Sequence, residues 1–208
     1  ITLHLLNDSE IIGYDENINL SFIPVDMNNI TRCELFGNWT DSWHKNKTIF
    51  NVVNDSLNSF LIDLSSDNIY KWNVLCWDAL NNGGFANENF TFKIDTINPL
   101  ISYGSKTADD FSNLSQDFIF LNLSITEENF ANMTFELFNY SQGFYRINQT
   151  IMFNKTFTLN WSNLSDGTYY YNVSIIDVAN LTNFTKTYTI TLDSTTPHAT
   201  LSTPLNDS

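Results

Sequence analysis

The chain has 208 residues, 42% of them apolar, which is enough for one large core or for two ordinary ones. Twenty-three acidic residues against nine basic ones leave a formal charge of −14, which excludes the neutralisation of nucleic-acid phosphates and disfavours an anionic membrane surface. Asn, Ser and Thr carry the polarity, no apolar run is long enough for a membrane-spanning helix, and seven Gly with four Pro speak against a collagen-like or low-complexity chain.

The first predicted strand is Thr2-Leu3-His4-Leu5-Leu6, with no signal-peptide pattern before it, as in a mature chain or in a segment of a longer one. Strict alternation follows in Ile18-Asn19-Leu20-Ser21-Phe22, the mark of a strand with one buried face. The next strand-like run carries Cys33, and a later one, Tyr70 to Asp78, carries Cys76; these are the only two cysteines. A bridge between two sheets, formed in an oxidising extracytoplasmic compartment, is the reading adopted, and two buried free thiols are its alternative. Neither cysteine stands at ligand spacing from His4, His44 or His198, so a zinc site is not expected. Turn clusters such as Asn81-Asn82-Gly83-Gly84 punctuate strands at intervals of about 8–14 residues, with no helical stripe longer than a turn or two.

The second half repeats the first. Asp67 to Ala79 lies over Asp166 to Val178, Asp95-Thr96-Ile97-Asn98-Pro99 over Asp193-Ser194-Thr195-Thr196-Pro197, and Cys33-Glu34-Leu35-Phe36 over Phe135-Glu136-Leu137-Phe138 after a small insertion. Phe135 and Ile175 thus take the cysteine positions, so both sites face a core. Each copy has the seven or so strands of a two-sheet antiparallel sandwich, and the fold class is all-β with two tandem immunoglobulin-like β-sandwiches. The first domain covers residues 1–98 and the second 99–197. Residues 200–208 resemble residues 2–9 with one extra residue, so residues 198–208 begin a further repeat or serve as a strand donated to a neighbouring subunit.

Asn-x-Ser/Thr with x not Pro occurs at 19 positions: Asn7, Asn19, Asn29, Asn38, Asn46, Asn54, Asn89, Asn113, Asn122, Asn132, Asn139, Asn148, Asn154, Asn160, Asn163, Asn172, Asn180, Asn183 and Asn206. Random order predicts roughly 6, and strand faces rich in Ser and Thr roughly 12, so the excess survives the bland explanation. An apolar middle residue, as in Asn122-Leu123-Ser124 and Asn172-Val173-Ser174, is to be buried while Asn and hydroxyl point outward. Dense covalent N-glycosylation is the expectation, with sugar replacing charge as the solubilising device.

Asp78-Ala79-Leu80-Asn81-Asn82 and Asp177-Val178-Ala179-Asn180, each followed by its Asp-Thr or Asp-Ser run ending in Pro99 or Pro197, resemble the D-x-A-G-N … D-T-T-x-P punctuation of prokaryotic tandem Ig-like domains. Such domains occur in adhesins, S-layer proteins and extracellular filaments, and the sequon density is similar to that of archaeal surface glycoproteins. The Gly of the pattern is missing from both copies. The resemblance implies Ca²⁺ at Asp78 and Asp95 and at Asp177 and Asp193, with lone Asp residues acting as turn formers as the alternative.

Motifs for a nucleophile elbow, a zinc protease or a phosphate loop are missing, and an enzyme is not expected. The acidic pairs Asp109-Asp110 and Glu127-Glu128 read as solvated loop charges. Trp39, Trp43, Trp77 and Tyr169-Tyr170-Tyr171 offer a sugar-stacking platform, against the simpler reading of core aromatics led by Trp72 and Trp161. The function expected is a structural subunit or repeat of a glycosylated extracellular filament, pilus-like thread or surface layer, assembled head to tail from copies of itself or adjacent repeats. An adhesin module binding carbohydrate or another cell-surface ligand is the rival, and neither nucleic acid nor membrane insertion is expected.

Overall fold

The computed structural model describes residues 1–6, 8–140, 143 and 145–200, and among them it contains strands and turns but no helix. The chain divides into two compact units whose bodies are Ile1–Asn98 and Pro99–Asp177 with the segment from Thr182 on. In the first unit, β1 (Thr2–Leu5), β3 (Ile18–Ile23) and β6 (Asn58–Ile62) form one sheet. The facing sheet runs β2 (Glu10–Ile12), β9 (Phe90–Ile94), β7 (Ile69–Asp78), β4 (Ile30–Gly37), β5 (His44–Ile49), with short β8 (Gly83–Phe85) also on β7.

The second unit repeats this topology strand for strand. One sheet is β10 (Leu100–Tyr103), β12 (Ile119–Thr126) and β15 (Thr158–Trp161). The other is β11 (Ser112–Leu114), β18 (Tyr188–Leu192), β16 (Gly167–Asp177), β13 (Phe130–Asn139) and β14 (Tyr145–Met152), with β17 (Thr182–Phe184) beside β16.

Period-two alternation builds both cores. On β7 the side chains of Tyr70, Trp72, Val74 and Cys76 are buried, and on β16 those of Tyr169, Tyr171, Val173 and Ile175 are buried. Trp72 is fully covered and packs edge-on to Phe90, while the facing sheet supplies Leu20 and the stacked pair Phe22–Phe60, with ring centroids 5.4 Å apart. In the second unit Trp161 packs against Tyr171, which also meets Tyr103 and Tyr188. Each fully buried large apolar side chain contributes about 1.5–3 kcal/mol.

Each unit's first strand switches sheets, and an aspartate holds the switch. Ser9 takes φ 67° and its amide donates to Thr91 O, while Asp8 Oδ1 accepts from the Thr91 amide and hydroxyl at 2.8 and 2.7 Å. Phe111 takes φ 65°, its amide donates to Thr189 O, and Asp110 Oδ1 accepts from the Thr189 amide at 2.8 Å. A bulky residue at positive φ is sterically costly, so these bonds hold it there. Asp110 is therefore no solvated loop charge: it also pairs with Lys186 at 2.7 Å. Burial alone would raise its pKa, yet the Lys186 and Thr189 bonds more than offset that and lower it.

A second fastener, which escaped the sequence reading, recurs at the entry to the long central strand. Tyr70 Oη donates to Ser66 O at 2.9 Å and Tyr169 Oη to Ser165 O at 2.7 Å, each ring being almost fully buried. These are tyrosine corners, in which a phenol at the start of a strand ties down the loop four residues back. The signal was a Ser four positions before the Tyr in both copies. Tyr70→Phe and Tyr169→Phe are each expected to cost about 1–2 kcal/mol, because a carbonyl loses its partner; denaturant titration of each variant against the parent chain measures it.

Candidate functional site

Cys33 and Cys76 are joined, with Cα atoms 4.1 Å apart. The bridge does not span the two sheets, as the sequence suggested, but links neighbours within one: Cys33 lies directly opposite Cys76 in the β4–β7 ladder. Alternation reveals that both thiols face inward but not which sheet each belongs to. Closing a loop of 43 residues stabilises the unit by about 4 kcal/mol in the chain-entropy account. The second unit corrects the sequence alignment as well. Met133, not Phe135, stands opposite Ile175, and Phe135 pairs with Val173. A slip of two residues keeps the same face inward, and Met133 and Phe135 are equally buried, so hydrophobic pattern could not tell them apart.

The aspartates of the repeat punctuation act as local fasteners. Asp78 Oδ1 accepts from the amides of Leu80 and Asn82 at 2.9 and 2.8 Å, and Oδ2 accepts from Asn82 Nδ2 at 2.9 Å. Those bonds, the Asn82 side chain first, hold its pKa down. Asn81 and Asn180 stand where the family pattern has Gly, at φ 69° and 65°. Asn tolerates this left-handed conformation better than other residues with a Cβ, which explains the missing glycine in both copies. Asp95 Oδ1 accepts from the Ile97 amide at 3.3 Å and Asp193 Oδ1 from the Thr195 amide at 3.2 Å, the same turn twice. Asp95 and Asp177 are buried and Asp193 is exposed. Within either unit taken by itself, no three acidic, imidazole or thiol ligands gather among the described residues.

A third repeated clasp was not foreseen. Asp67 accepts from the Thr96 amide and hydroxyl, both at 2.9 Å, and Asp166 accepts from the Ser194 amide and hydroxyl, both at 2.8 Å, and from the Thr195 hydroxyl. The Thr or Ser of the punctuation is thus the partner of an Asp about 28 residues earlier in the chain. Led by the Thr195 hydroxyl, these donors lower the Asp166 pKa to about 2.

Asn7 and Asn206 lie outside the described residues, as do positions 201–208 of the segment expected to start a further repeat. Of the other acceptor asparagines, Asn19, Asn29, Asn46, Asn54, Asn89, Asn113, Asn148, Asn154, Asn160, Asn163 and Asn180 are exposed. Asn38, Asn122, Asn132, Asn172 and Asn183 are half-buried, and Asn139 is buried. The expected burial of the middle residue holds at Leu123, Met133 and Val173, each inward between outward neighbours. Asn139 breaks it because it shares the inward parity of Phe135 and Leu137 on β13. Some acceptors already hold structure: Asn54 clamps the Asp26 backbone through both amide atoms at 2.8 and 3.0 Å, and Asn38 accepts from the Lys71 amide at 2.6 Å.

The aromatic platform is split. Tyr169 and Tyr171 belong to the second core, and Trp39 packs on Tyr70 and over Gly37, where an added Cβ would lie 2.1 Å from its ring. Trp43 and Trp77 do share a surface, the outer face of the first unit's six-stranded sheet. There Phe36 stacks on Trp43 and meets Phe85 edge-on, with centroids 6.4 and 5.1 Å apart. Arg32 lies 4.5 Å over the Trp77 ring, and Glu34 accepts from Trp77 Nε1 at 3.4 Å and pairs with both Arg32 and Lys45 at 3.5 Å. Gly83 lets Trp77 lie close to β8, since a Cβ there would come within 2.8 Å of the ring. A cleft of about 250 Å³ adjoins Trp77 and Phe85; its carboxylates, Asp26 and Asp78, are turn formers, accepting from the Asn28 amide and from the Leu80 and Asn82 amides respectively.

No protein-family model matches the chain, and no curated protein aligns with it significantly. Solved structures do resemble it. The fibronectin(III)-like modules of CbhA from Clostridium thermocellum align over 97% of this chain and 99% of that one, at 9% identity and a TM-score of 0.50. A marsupial T cell receptor aligns over 93% of this chain and 74% of that one, at 12% identity and a TM-score of 0.62. Identities this low establish fold alone, which is that of tandem fibronectin(III)- and Ig-like sandwiches.

Two expectations follow. Cys33→Ser lowers the stability of the first unit by about 4 kcal/mol and leaves the second unit's unfolding transition in place, as calorimetry of the chain would resolve. Asp166, depressed below the ordinary carboxylate pKa of about 3.9, contributes stability that is complete above that value and lost as pH falls through about 2. Carboxyl NMR titration should place its midpoint near 2, and Asp166→Asn should remove that part of the acid sensitivity.

Proposed function

We propose that this chain is a structural subunit or repeat of a heavily N-glycosylated extracellular filament, thread or surface layer, built head to tail from copies of itself or from adjacent repeats, and without enzymatic activity. The observation that carries the reading is the placement of the acceptor asparagines. Sixteen of the 17 described acceptors are exposed or half-buried, on sandwiches whose cores are complete without them. Sugar at those positions would cover outer faces and several edge strands, including Asn46 on β5, Asn113 on β11, Asn148 on β14 and Asn160 on β15. Unpaired strand edges invite association with other chains, and a glycan on the edge obstructs it. The disulfide supports an oxidising, extracytoplasmic setting, and the sequon density supports an archaeal source.

The adhesin reading draws on one observation, the solvent-facing aromatics Trp43 and Phe85 of the first unit. Negative-stain microscopy of native material separates the two: regular filaments or lattices support the structural role, isolated rods that bind a glycan array support adhesion. Glycopeptide mapping from the native source is expected to find sugar at most exposed acceptors and none at Asn139. A chain unmodified throughout would end the glycoprotein reading.

A further inference from the structure

The two units are built on one plan, so positions where they differ on the same surface carry information. The registers of β4–β7 and β13–β16 align the outward-facing residues in pairs. In the second unit these are Asn132 opposite Ile176, Thr134 opposite Ser174 and Glu136 opposite Asn172. In the first they are Arg32 opposite Trp77, Glu34 opposite Leu75 and Phe36 opposite Asn73. Two complete acceptor sequences, Asn132-Met133-Thr134 and Asn172-Val173-Ser174, lie across the middle of this face in the second unit. In the first, both are gone: Arg32 and Glu34 replace Asn and Thr, and Leu75 replaces the Ser after Asn73. Asn73 itself is buried, its Nδ2 donating to Ala86 O at 3.1 Å and to Asn89 Oδ1 at 2.8 Å. Two acceptors remain beside it: Asn89, whose Oδ1 accepts from Asn73, and Asn46 on the edge strand, whose Thr48 lies opposite Glu34.

What replaces the acceptors has interface chemistry. Trp, Phe and Arg are enriched where proteins meet, and here Trp43, Phe36 and Trp77 surround the ion pairs of Glu34 with Arg32 and Lys45, together with Phe85, whose counterpart Phe184 is exposed in the second unit as well. Two cations to one carboxylate stand out on a chain where acidic residues outnumber basic ones by 23 to 9. The complement of such a face is an acidic surface with room for aromatic rings.

We propose that this outer face of the first unit, centred on Arg32, Phe36, Trp43, Trp77 and Phe85, is a contact surface for a second copy of this chain, its two central strands carrying none of the acceptor sequences found on β13 and β16, so that the copy can approach. The inference rests on the self-assembling reading above and deepens it by naming the surface. A second copy supplies the required charge, because the chain carries a formal net charge of −14, and the attraction between the two weakens as salt screens it.

Sedimentation velocity of the glycosylated chain, over a range of concentration and salt, tests this. Association that weakens with salt is expected, and Trp43→Ser with Phe85→Ser should lower the association constant about tenfold or more, since both side chains are solvent-facing and leave the core intact. A second variant, Arg32→Asn with Glu34→Thr, reinstates the acceptor sequence found at Asn132 and, once mass spectrometry shows it sugar-bearing, should block association. The inference is overturned if either variant associates as tightly as the parent, if the parent stays monomeric at every concentration, or if the face retains neutral glycans without self-association. Filaments in native material whose formation both variants leave unchanged would remove this surface while sparing the proposed function; native material without filaments or lattices would remove that function itself.

Discussion

In each unit one strand lies at the middle of the larger sheet, β7 in the first and β16 in the second, and its inward residues are sealed against the opposite sheet. That burial is the constraint from which the rest follows. With Tyr70, Trp72, Val74 and Cys76 committed to the core, period-two geometry commits Lys71, Asn73, Leu75 and Trp77 to the other side. The same parity places the outward pairs on β4, directs the disulfide inward, and determines which acceptor asparagines reach solvent. Asn132 and Asn139 have the same motif on the same strand, seven positions apart, and only the first has the outward parity.

Polar fasteners then close what the cores leave open. Asp8 and Asp110 hold the strand switch, Asp67 and Asp166 hold the run that follows the last strand, and Tyr70 and Tyr169 hold the loop before the central strand. Each is a side chain bonded to backbone groups that would otherwise be unpaired where regular structure ends, and such groups are costly to leave unsatisfied. The acidic character of the chain has a structural origin in part, since many of its carboxylates are local acceptors in turns and clasps. Their recurrence in both units, alongside a disulfide present in only one, separates what the fold requires from what the first unit adds.

On the proposed reading, sugar and aromatics divide the surface. The outer face of the second unit's larger sheet carries two acceptor sequences, beside the exposed Phe184 and the Glu136–Arg146 pair, where the first unit has Arg32, Glu34, Leu75 and Trp77. A binding surface and a glycan compete for the same space, so one sequence change exchanges one for the other without disturbing the inward half of the strand.

How much was legible beforehand depended on the range of the interaction. The strand periodicity of Tyr70 to Asp78, the repetition of Asp67 to Ala79 in Asp166 to Val178, and the inward direction of both cysteines are local properties, and the amino-acid order alone determined them. Sheet membership is not local: whether Cys33 meets Cys76 across a ladder or across the core depends on strand order. The register of β13 is not local either, because Met133 and Phe135 are both apolar and inward, and only pairing with β16 chose Met133 for Ile175. Tertiary structure likewise decided the roles of Asp110 and Asp166, whose partners lie 79 and 28 residues away. It also gathered Phe36, Trp43, Trp77 and Phe85 on one face, since residues distant along the chain become neighbours only when their strands are laid side by side.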